Sequence, residues 1–283
     1  MEQKSYTRVT LALDIVKKLN EGPYTGYHEL AIVKHQIDLY DIISLENAPS
    51  LSIECDNPLV PCDNNNICWK AVELIKKELG TQKSVRIRLK KNIPVMGGLA
   101  GGSANAATVL MLLNKYWELD LSVEQMMEFG RKLGMDVPYY FLGGTAFDSE
   151  ATGVIRKIPT DMKFVFLLAI PEFGVSTSMA YQKLNYSCIN TNRGKTDTLI
   201  DSLQKNDNQG VLNSMHNDFE SSVFTIYPEL NKIKNALIDA GCENAIMSGS
   251  GSTIMGITDT FCQAQEIQKK IPYKTIIAST LAV

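Results

Sequence analysis

The feature that most constrains this chain is a glycine-rich stretch that runs from Pro94 to Ala107. Glycines at positions 97, 98, 101 and 102 allow left-handed backbone conformations and the close approach of a ligand. The segment before it, Ser84–Lys90, alternates apolar and basic residues and predicts a half-buried strand, whereas Ala104–Tyr116 predicts a helix. A strand, a glycine loop and a helix start are the arrangement in which backbone amides can bind phosphate.

The same stretch excludes one class of nucleotide-binding loop. A Walker A loop ends in Gly-Lys-Ser/Thr, whereas this one has Gly102-Ser103-Ala104. The loop's own residues leave a second interpretation open, in which the glycines only let a helix pack closely on a strand.

Charge and cysteine content exclude other functions. The formal net charge of −3 disfavours nonspecific binding to nucleic acid or to anionic membranes, which requires a concentrated basic surface. The six cysteines form no C-x-x-C pair, and the three histidines show no metal-ligand spacing. No apolar run approaches the roughly 18 residues of a membrane helix, and the first residues lack a signal core. We therefore predict a cytoplasmic protein with no nucleic-acid or membrane partner.

Apolar periodicity predicts mixed α and β structure. Strands are expected at Tyr6–Val16, Glu29–Ile37, Asp41–Leu45, Leu51–Glu54, Gly153–Ile158, Phe164–Ile170 and Lys274–Ala278, with a strand or bend at Phe141–Phe147. Helices are expected to end near Leu79, Tyr116 and Gly134, and to span Thr198–Leu203, Val211–Phe224, Pro228–Ala240 and Asp259–Ile271. Asn185–Asp197 is polar and predicts a loop. Ala245–Ile257 is a second glycine-rich turn between two apolar strands, a pattern that a plain hairpin also produces.

Three further positions are candidates for chemistry. Arg8 and Thr10 share the polar face of the first predicted strand. Asp136 lies between a helix that ends at Gly134 and an apolar run, so it is either a partly buried functional carboxylate or an N-cap. Tyr27 and His28 follow a turn-rich loop, where an aromatic side chain serves packing as often as binding.

Taken together, five motifs resemble those of the GHMP kinase superfamily of small-molecule kinases. They occur in the family's order and spacing: Gly26-Tyr-His-Glu-Leu30, Gly102-Ser-Ala-Asn-Ala-Ala107, Gly134-Met-Asp-Val-Pro138, Asn217-Asp-Phe-Glu220 and Met247-Ser-Gly-Ser-Gly251. The resemblance covers essentially the whole chain. It is greatest to the branch that acts in the non-mevalonate isoprenoid pathway.

The resemblance implies an α+β fold in two domains. Residues 1–159 would form an N-terminal domain like ribosomal protein S5 that carries the ATP loop, and residues 160–283 a C-terminal ferredoxin-like domain. It also implies that ATP, with Mg²⁺, phosphorylates the 2-hydroxyl of 4-diphosphocytidyl-2-C-methyl-D-erythritol. The partners would be ATP and this cytidine diphosphate-linked alcohol, and the enzyme would be a monomer or a homodimer.

The resemblance also assigns roles to individual residues. Asp136 would be the catalytic base, assisted by Arg8, and Ser103 would approach Mg²⁺. The ATP phosphates would lie on the loop, whose residues are Pro94, Val95, Met96, Gly97, Gly98, Leu99, Ala100, Gly101, Gly102, Ser103 and Ala104. The substrate would contact Thr10, Tyr27, His28, Thr177, Tyr181, Gly249, Ser250 and Gly251, with aromatic rings stacking on the cytosine.

The chain departs from the family pattern at two places. Arg8 and Thr10 stand where the family has Lys and Asn, and Met96 and Ala100 replace two loop glycines. Arginine keeps the positive charge but not the point contact of a lysine. Two alternatives therefore stay open: a divergent relative that phosphorylates another small alcohol, and a nucleotide-binding relative without catalysis.

Overall fold

The structure is a computed structural model that describes residues 1–22, 24–187 and 189–282. The elements follow the chain in this order: β1 Glu2–Lys18, β2 His28–Asn47, β3 Ser52–Cys55, α1 Ile67–Leu79, β4 Val85–Lys90, α2 Gly101–Tyr116, α3 Val123–Leu133, α4 Tyr139–Leu142, β5 Thr145–Glu150, β6 Ile155–Lys157, β7 Val165–Ala169, α5 Thr177–Gln182, α6 Arg193–Lys205, α7 Asn208–Ser214, β8 His216–Asn217, α8 Glu220–Ile226, α9 Pro228–Asp239, β9 Asn244–Met247, β10 Ile254–Thr258, α10 Phe261–Lys270 and β11 Thr275–Ser279.

The chain divides into two compact units that are discontinuous in sequence. The first contains residues 1–7, 39–95 and 100–143, and the second contains residues 8–38, 96–99 and 144–283. The long strands β1 and β2 each contribute to both units, and the chain crosses between the units twice within the glycine loop. The predicted boundary between residues 159 and 160 stays a prediction.

In the first unit, three strand segments pair side by side. The second half of β2 is antiparallel to β4, and β3 is parallel to β4. The alternation of apolar and basic residues in β4 predicts one buried face, and Val85, Ile87 and Leu89 are indeed buried. Helix α1 packs on α2 and α3, and α2 also packs on α4.

Local signals explain where the helices of this unit begin and end. The Asn66 side chain accepts a hydrogen bond from the Cys68 amide at the start of α1, and Gly80 ends that helix in the left-handed conformation. At the start of α3, Ser122 and Gln125 form a capping box.

The second unit contains a four-stranded antiparallel sheet in the order β11-β7-β10-β9. With α9 before β9 and α10 after β10, this order is the ferredoxin-like βαββαβ arrangement. Strand β7 is a continuous apolar run, and it occupies an interior position between β11 and β10. In the same unit, β5 pairs with the first half of β2 and with β6, and β8 runs parallel to β1.

Three sequence-based predictions were wrong in detail. Val211–Phe224 is not one helix, because β8 interrupts it by pairing with Ala12 and Leu13. The predicted loop Asn185–Asp197 ends at Arg193, where α6 begins. Leu142 ends a helical turn, and the next strand begins at Thr145. The polar face that Arg8 and Thr10 share on β1 is buried.

His35 is a buried polar group that affects stability. Its Nδ1 contacts the Thr145 hydroxyl at 2.8 Å and its Nε2 contacts the Thr280 hydroxyl at 2.9 Å. Burial, with a smaller contribution from the Lys163 charge, lowers the pKa of His35 to about 3.

We predict that this histidine destabilises the protein in acid. Between about pH 6.5 and pH 3 the unfolded chain binds a proton at His35 that the folded chain does not, so the free energy of unfolding falls as the pH decreases. The loss is about 1.4 kcal/mol per pH unit at most. Chemical denaturation at several pH values should show a shallower acid slope for His35→Gln than for the wild type. In the comparison variant His28→Gln the slope should change less, because that ring is only partly buried. An unchanged slope in His35→Gln would contradict the assignment.

Candidate functional site

Within the second unit, the two glycine-rich stretches lie in direct contact. The carbonyl oxygen of Gly98 accepts a hydrogen bond from Arg8 Nη1 at 2.9 Å and one from Ser248 Oγ at 3.3 Å. The carbonyl oxygen of Gly97 accepts one from the Thr253 amide at 3.1 Å. Both carbonyl oxygens, which would repel a phosphate, are therefore directed at donors on the protein.

This contact explains why two of the positions are glycine. Gly98 has a φ of 74°, and a Cβ atom there would lie 2.2 Å from the Ser248 carbonyl oxygen. Gly249 has a φ of 57°, and its Cβ atom would lie 2.8 Å from the Gly98 carbonyl oxygen. The backbone of each turn therefore leaves no room for a side chain at the facing glycine of the other turn. The glycine pattern in the sequence does not show this contact.

Arg8 connects β1 to the loop. Its side chain is buried, with 5% exposure, and Nη1 also donates to Thr10 Oγ1 at 3.1 Å. Arg8 and Thr10, the two departures from the family pattern on this strand, therefore form one hydrogen-bonded pair. The Arg8 guanidinium also holds the Gly98 carbonyl of the loop. The catalytic role of Arg8 and the substrate contact of Thr10 remain predictions.

Asn217 holds the other glycine-rich turn. From β8, its Nδ2 donates to the carbonyl oxygens of Met247 at 2.7 Å and Gly249 at 2.8 Å, and its Oδ1 accepts from the Phe219 amide. Sequence reasoning noted the motif Asn217–Glu220 but assigned the asparagine no role. The motif was the available signal for this residue. Its place on β8, paired with Leu13 of β1, depends on contacts far apart in the sequence.

In the first unit, helix α2 begins without a side-chain cap. Ala100 occupies the N-cap position at a φ of 53°, and among the described residues this helix start has no side-chain cap hydrogen bond. Helix α2 has 16 residues, so its N-terminal amides and dipole favour an anion. Gly101, Gly102, Ser103 and Ala104 form this first turn, which starts three residues before the predicted helix start at Ala104.

Asp136 lies in the turn between α3 and α4 and is partly exposed. Pro138, not Asp136, occupies the N-cap position of α4, and α4 has no side-chain cap. The alternative interpretation of Asp136 as the N-cap of that helix is therefore wrong. Its role as a base remains a prediction.

Aromatic side chains form a group in the second unit. The His28 and Tyr181 rings stack at 4.7 Å with an interplanar angle of 15°, and His28 Nε2 lies 3.0 Å from Tyr186 Oη. Partial burial, followed by the Lys18 charge, lowers the pKa of His28, so the neutral ring is favoured. Tyr27 is 53% exposed and makes an edge contact with Tyr24. Tyr186 was missed, because the polar sequence around it predicts only a loop.

Two other predicted substrate residues also meet. The Thr177 and Ser250 hydroxyls lie 2.9 Å apart, which links the start of α5 to the turn between β9 and β10. That turn connects two antiparallel strands, so the second glycine-rich stretch is a hairpin in form. Its contact with the loop shows that it is more than a plain chain reversal.

Comparison with known proteins extends these observations. Residues 66–144 match the model for the GHMP kinases N terminal domain, and residues 199–276 match the GHMP kinases C terminal model. A 4-diphosphocytidyl-2-C-methyl-D-erythritol kinase from Clostridium botulinum (strain Alaska E43 / Type E3) is 34% identical over 277 residues, which cover 98% of this chain and 97% of the relative. The kinase of the same name from Clostridium kluyveri is 36% identical over 272 residues, covering 96% and 95%.

Solved structures share the fold. A crystal structure of a 4-(cytidine 5'-diphospho)-2C-methyl-D-erythritol kinase has a TM-score of 0.80 at 23% identity and covers 99% of this chain and 98% of its own. Homoserine kinase from Cytophaga hutchinsonii has a TM-score of 0.75 at 19% identity, covering 98% and 94%. The predicted two-domain α+β fold class is confirmed.

We predict that Ala100→Gly stabilises the protein. Ala100 has a φ of 53°, and a left-handed conformation costs a non-glycine residue roughly 1–2 kcal/mol. Because glycine also loses more entropy on folding, the net gain in the free energy of unfolding should be about 1 kcal/mol or less. Ala104→Gly is the control: the same chemical change inside the helix should destabilise by about 1 kcal/mol. Urea denaturation measures both, and equal destabilisation by the two changes would refute the strain at Ala100.

Proposed function

The chain belongs to the GHMP kinase family, and from this premise we propose that it transfers the γ-phosphate of ATP to the 2-hydroxyl of 4-diphosphocytidyl-2-C-methyl-D-erythritol. It is an ATP-dependent kinase of isoprenoid precursor biosynthesis. The observation that carries the choice of acceptor is the similarity over nearly the full length to curated kinases of that name, at 34% and 36% identity.

The glycine loop and the start of α2 support an ATP site. The loop's carbonyl oxygens at Gly97 and Gly98 are occupied by protein donors, and the first turn of α2 has no side-chain cap. Amides at a helix start fit a phosphate, so the residues from Pro94 to Ala104 would bind the triphosphate. This arrangement positions the phosphates through backbone groups and does not need a Walker lysine.

We further propose Mg²⁺ as the accompanying ion, with the Ser103 hydroxyl near it. Within the described residues, no cluster of three or more acidic, histidine or cysteine side chains forms a metal cage. Mg²⁺ is commonly held by few protein oxygens together with substrate phosphates, so one hydroxyl beside the phosphates suits it. When bound, the ion would neutralise charge on the transferring phosphoryl group.

Asp136 is our proposed base. A partly exposed carboxylate in a turn can reach a bound alcohol and accept its proton as the oxygen attacks phosphorus. Phosphoryl transfer asks mainly for positioning and charge neutralisation, and Arg8 would contribute positive charge beside the loop.

The aromatic group supports recognition of a flat base. The His28 and Tyr181 rings already contact each other at 4.7 Å, whereas a base between two rings needs roughly 7 Å. We therefore propose that cytosine stacks on an outer face of this pair, beside Tyr27, rather than between the two rings. Thr10, Thr177 and the Gly249–Gly251 turn would contact other parts of the acceptor.

The cellular compartment and the oligomeric state of the protein are further proposals. Within the described residues no helix has both the length and the apolar character of a membrane span. Cys55, Cys62, Cys68, Cys242 and Cys262 are all free thiols, which favours a reducing compartment such as the cytoplasm. Cys188 lies outside the described residues. A monomer or a homodimer is proposed.

The test of the function is ADP release in the presence of ATP, Mg²⁺ and the cytidine diphosphate-linked alcohol. We expect release that depends on this acceptor, and much less with homoserine or mevalonate as control alcohols. Transfer to one of the other alcohols alone would replace the proposed acceptor. ATP binding without transfer to any alcohol would favour a non-catalytic relative.

We predict that Asp136→Asn lowers kcat by at least about 100-fold, because the amide cannot accept the proton of the attacking hydroxyl. The dissociation constant for ATP, measured by calorimetry, should change little. The control is Asp38→Asn, whose carboxylate accepts from the Ser279 amide. A near-normal kcat for Asp136→Asn would refute the base.

We predict that Tyr181→Leu raises KM for the cytidine acceptor more than it lowers kcat. Stacking of a base on an aromatic ring is worth about 1–3 kcal/mol, which corresponds to roughly 5-fold to 150-fold in KM. KM for ATP should stay within about 2-fold of the wild-type value. Phe261→Leu, at an exposed aromatic position on α10, is the matched control. Equal changes in both KM values would point to a general disturbance instead of a lost stacking partner.

A further inference from the structure

Asp41 is a buried carboxylate on β2 whose hydrogen-bonding capacity is largely used by the residues just before the glycine loop. It is fully buried, and its Oδ1 accepts from the amides of Asn92 at 2.8 Å and Ile93 at 2.9 Å. Its Oδ2 accepts from the ammonium of Lys91, whose side chain is also buried. A buried charge with this many donors holds its neighbours in one arrangement.

The same carboxylate also reaches the residue just after the loop. Asp41 Oδ2 accepts from Asn105 Nδ2 at 2.9 Å, and Asn105 Oδ1 accepts from Lys91 Nζ at 2.9 Å. Lys91 precedes the loop and Asn105 lies in the second turn of α2, 14 residues later. The three side chains close the chain between residues 91 and 105 into a loop with a fixed neck.

A second contact at the neck is steric. A Cβ atom on Gly101 would lie 2.8 Å from Cγ2 of Ile93, so the residue that begins α2 packs directly on the residue before Pro94. Asn105 Nδ2 also donates to Ser5 Oγ at 3.1 Å, which ties the helix to β1. The start of α2 is thus positioned by polar and apolar contacts that all lie in the first unit.

We propose that Asp41 is a positioning residue for ATP. Its charge fixes the neck formed by Lys91, Asn92, Ile93 and Asn105, and thereby the direction of the α2 amides that receive phosphate. Asp41 does not touch the nucleotide itself. This inference rests on the proposed ATP site, and none of the family motifs on which that site was predicted includes position 41.

Loss of the charge has a specific consequence. In Asp41→Asn the remaining oxygen can still accept from the Asn92 and Ile93 amides, but the new amide group meets two donors, Lys91 Nζ and Asn105 Nδ2. Two N–H donors facing each other without an acceptor are unfavourable. We therefore expect Asn105 and the start of α2 to move away from position 41 on β2. A misplaced anion site binds more weakly even when the fold persists.

The test compares Asp41→Asn with Asp148→Asn. Asp148 is also fully buried, pairs with the buried Lys34 at 2.7 Å and accepts from the Glu150 amide, but it lies on β5. Both variants remove one buried carboxylate charge from an ion pair with a buried lysine, and Lys34 keeps a second contact with Glu150 at 3.2 Å. ATP dissociation constants are measured by calorimetry, and hydrogen exchange is followed in peptides that cover residues 91–105 without nucleotide.

Asp41→Asn should weaken ATP binding by about tenfold or more and speed exchange in residues 91–105, whereas Asp148→Asn should do neither. KM for the acceptor should change less than KM for ATP. Equal effects of the two variants, or unchanged exchange in residues 91–105 of Asp41→Asn, would overturn the inference. If the wild type binds no ATP, the proposed function fails, and the exchange result still decides whether Asp41 fixes the neck.

A double variant covers the case in which Asp41→Asn does not fold. The double variant Asp41→Asn/Lys91→Met also removes the Lys91 ammonium, which would otherwise be buried without its carboxylate partner. We expect this protein to fold, with residues 91–105 still exchanging faster than in the wild type and ATP binding still weakened. Wild-type exchange and wild-type ATP affinity in the double variant would overturn the proposal.

Discussion

The contact between the Gly98 carbonyl oxygen and its donors is the constraint on which the site depends. Arg8 and Ser248 both donate to this oxygen, and neither Gly98 nor Gly249 has room for a side chain. Two turns that are 150 residues apart in sequence are therefore held at backbone contact distance. A Cβ atom at either glycine, or the loss of either donor, would act directly on this contact.

Arg8, which stands where the family pattern has lysine, joins β1 to the glycine loop. Arg8 uses one nitrogen to reach both Thr10 and the Gly98 carbonyl, so the replacements at positions 8 and 10 support each other. A guanidinium is planar and presents several fixed donors, whereas an ammonium is a point charge. The pair therefore gives the loop a defined anchor as well as positive charge.

Much of this could be predicted from local sequence. The alternation in β4, the caps of α1 and α3, and the apolar run of β7 each specify their own structure. These features depend on neighbours within a few residues.

Other features could not be predicted because they depend on pairing across long stretches of chain. Strand β8 interrupts an apparently helical segment only because β1 lies beside it. Asn217 acquires a role from carbonyl groups 30 and 32 residues away, and Asp41 from donors 50 to 64 residues away. Single-sequence periodicity contains no information about such partners.

The most direct test of the account is ATP binding by Arg8→Lys, measured by calorimetry together with kcat. If the guanidinium anchors the loop through Gly98, the lysine variant should bind ATP at least about tenfold more weakly, even though it restores the family residue and keeps the charge. Unchanged ATP affinity, or an increase in activity, would contradict the account and make Arg8 a tolerated replacement with no positioning role.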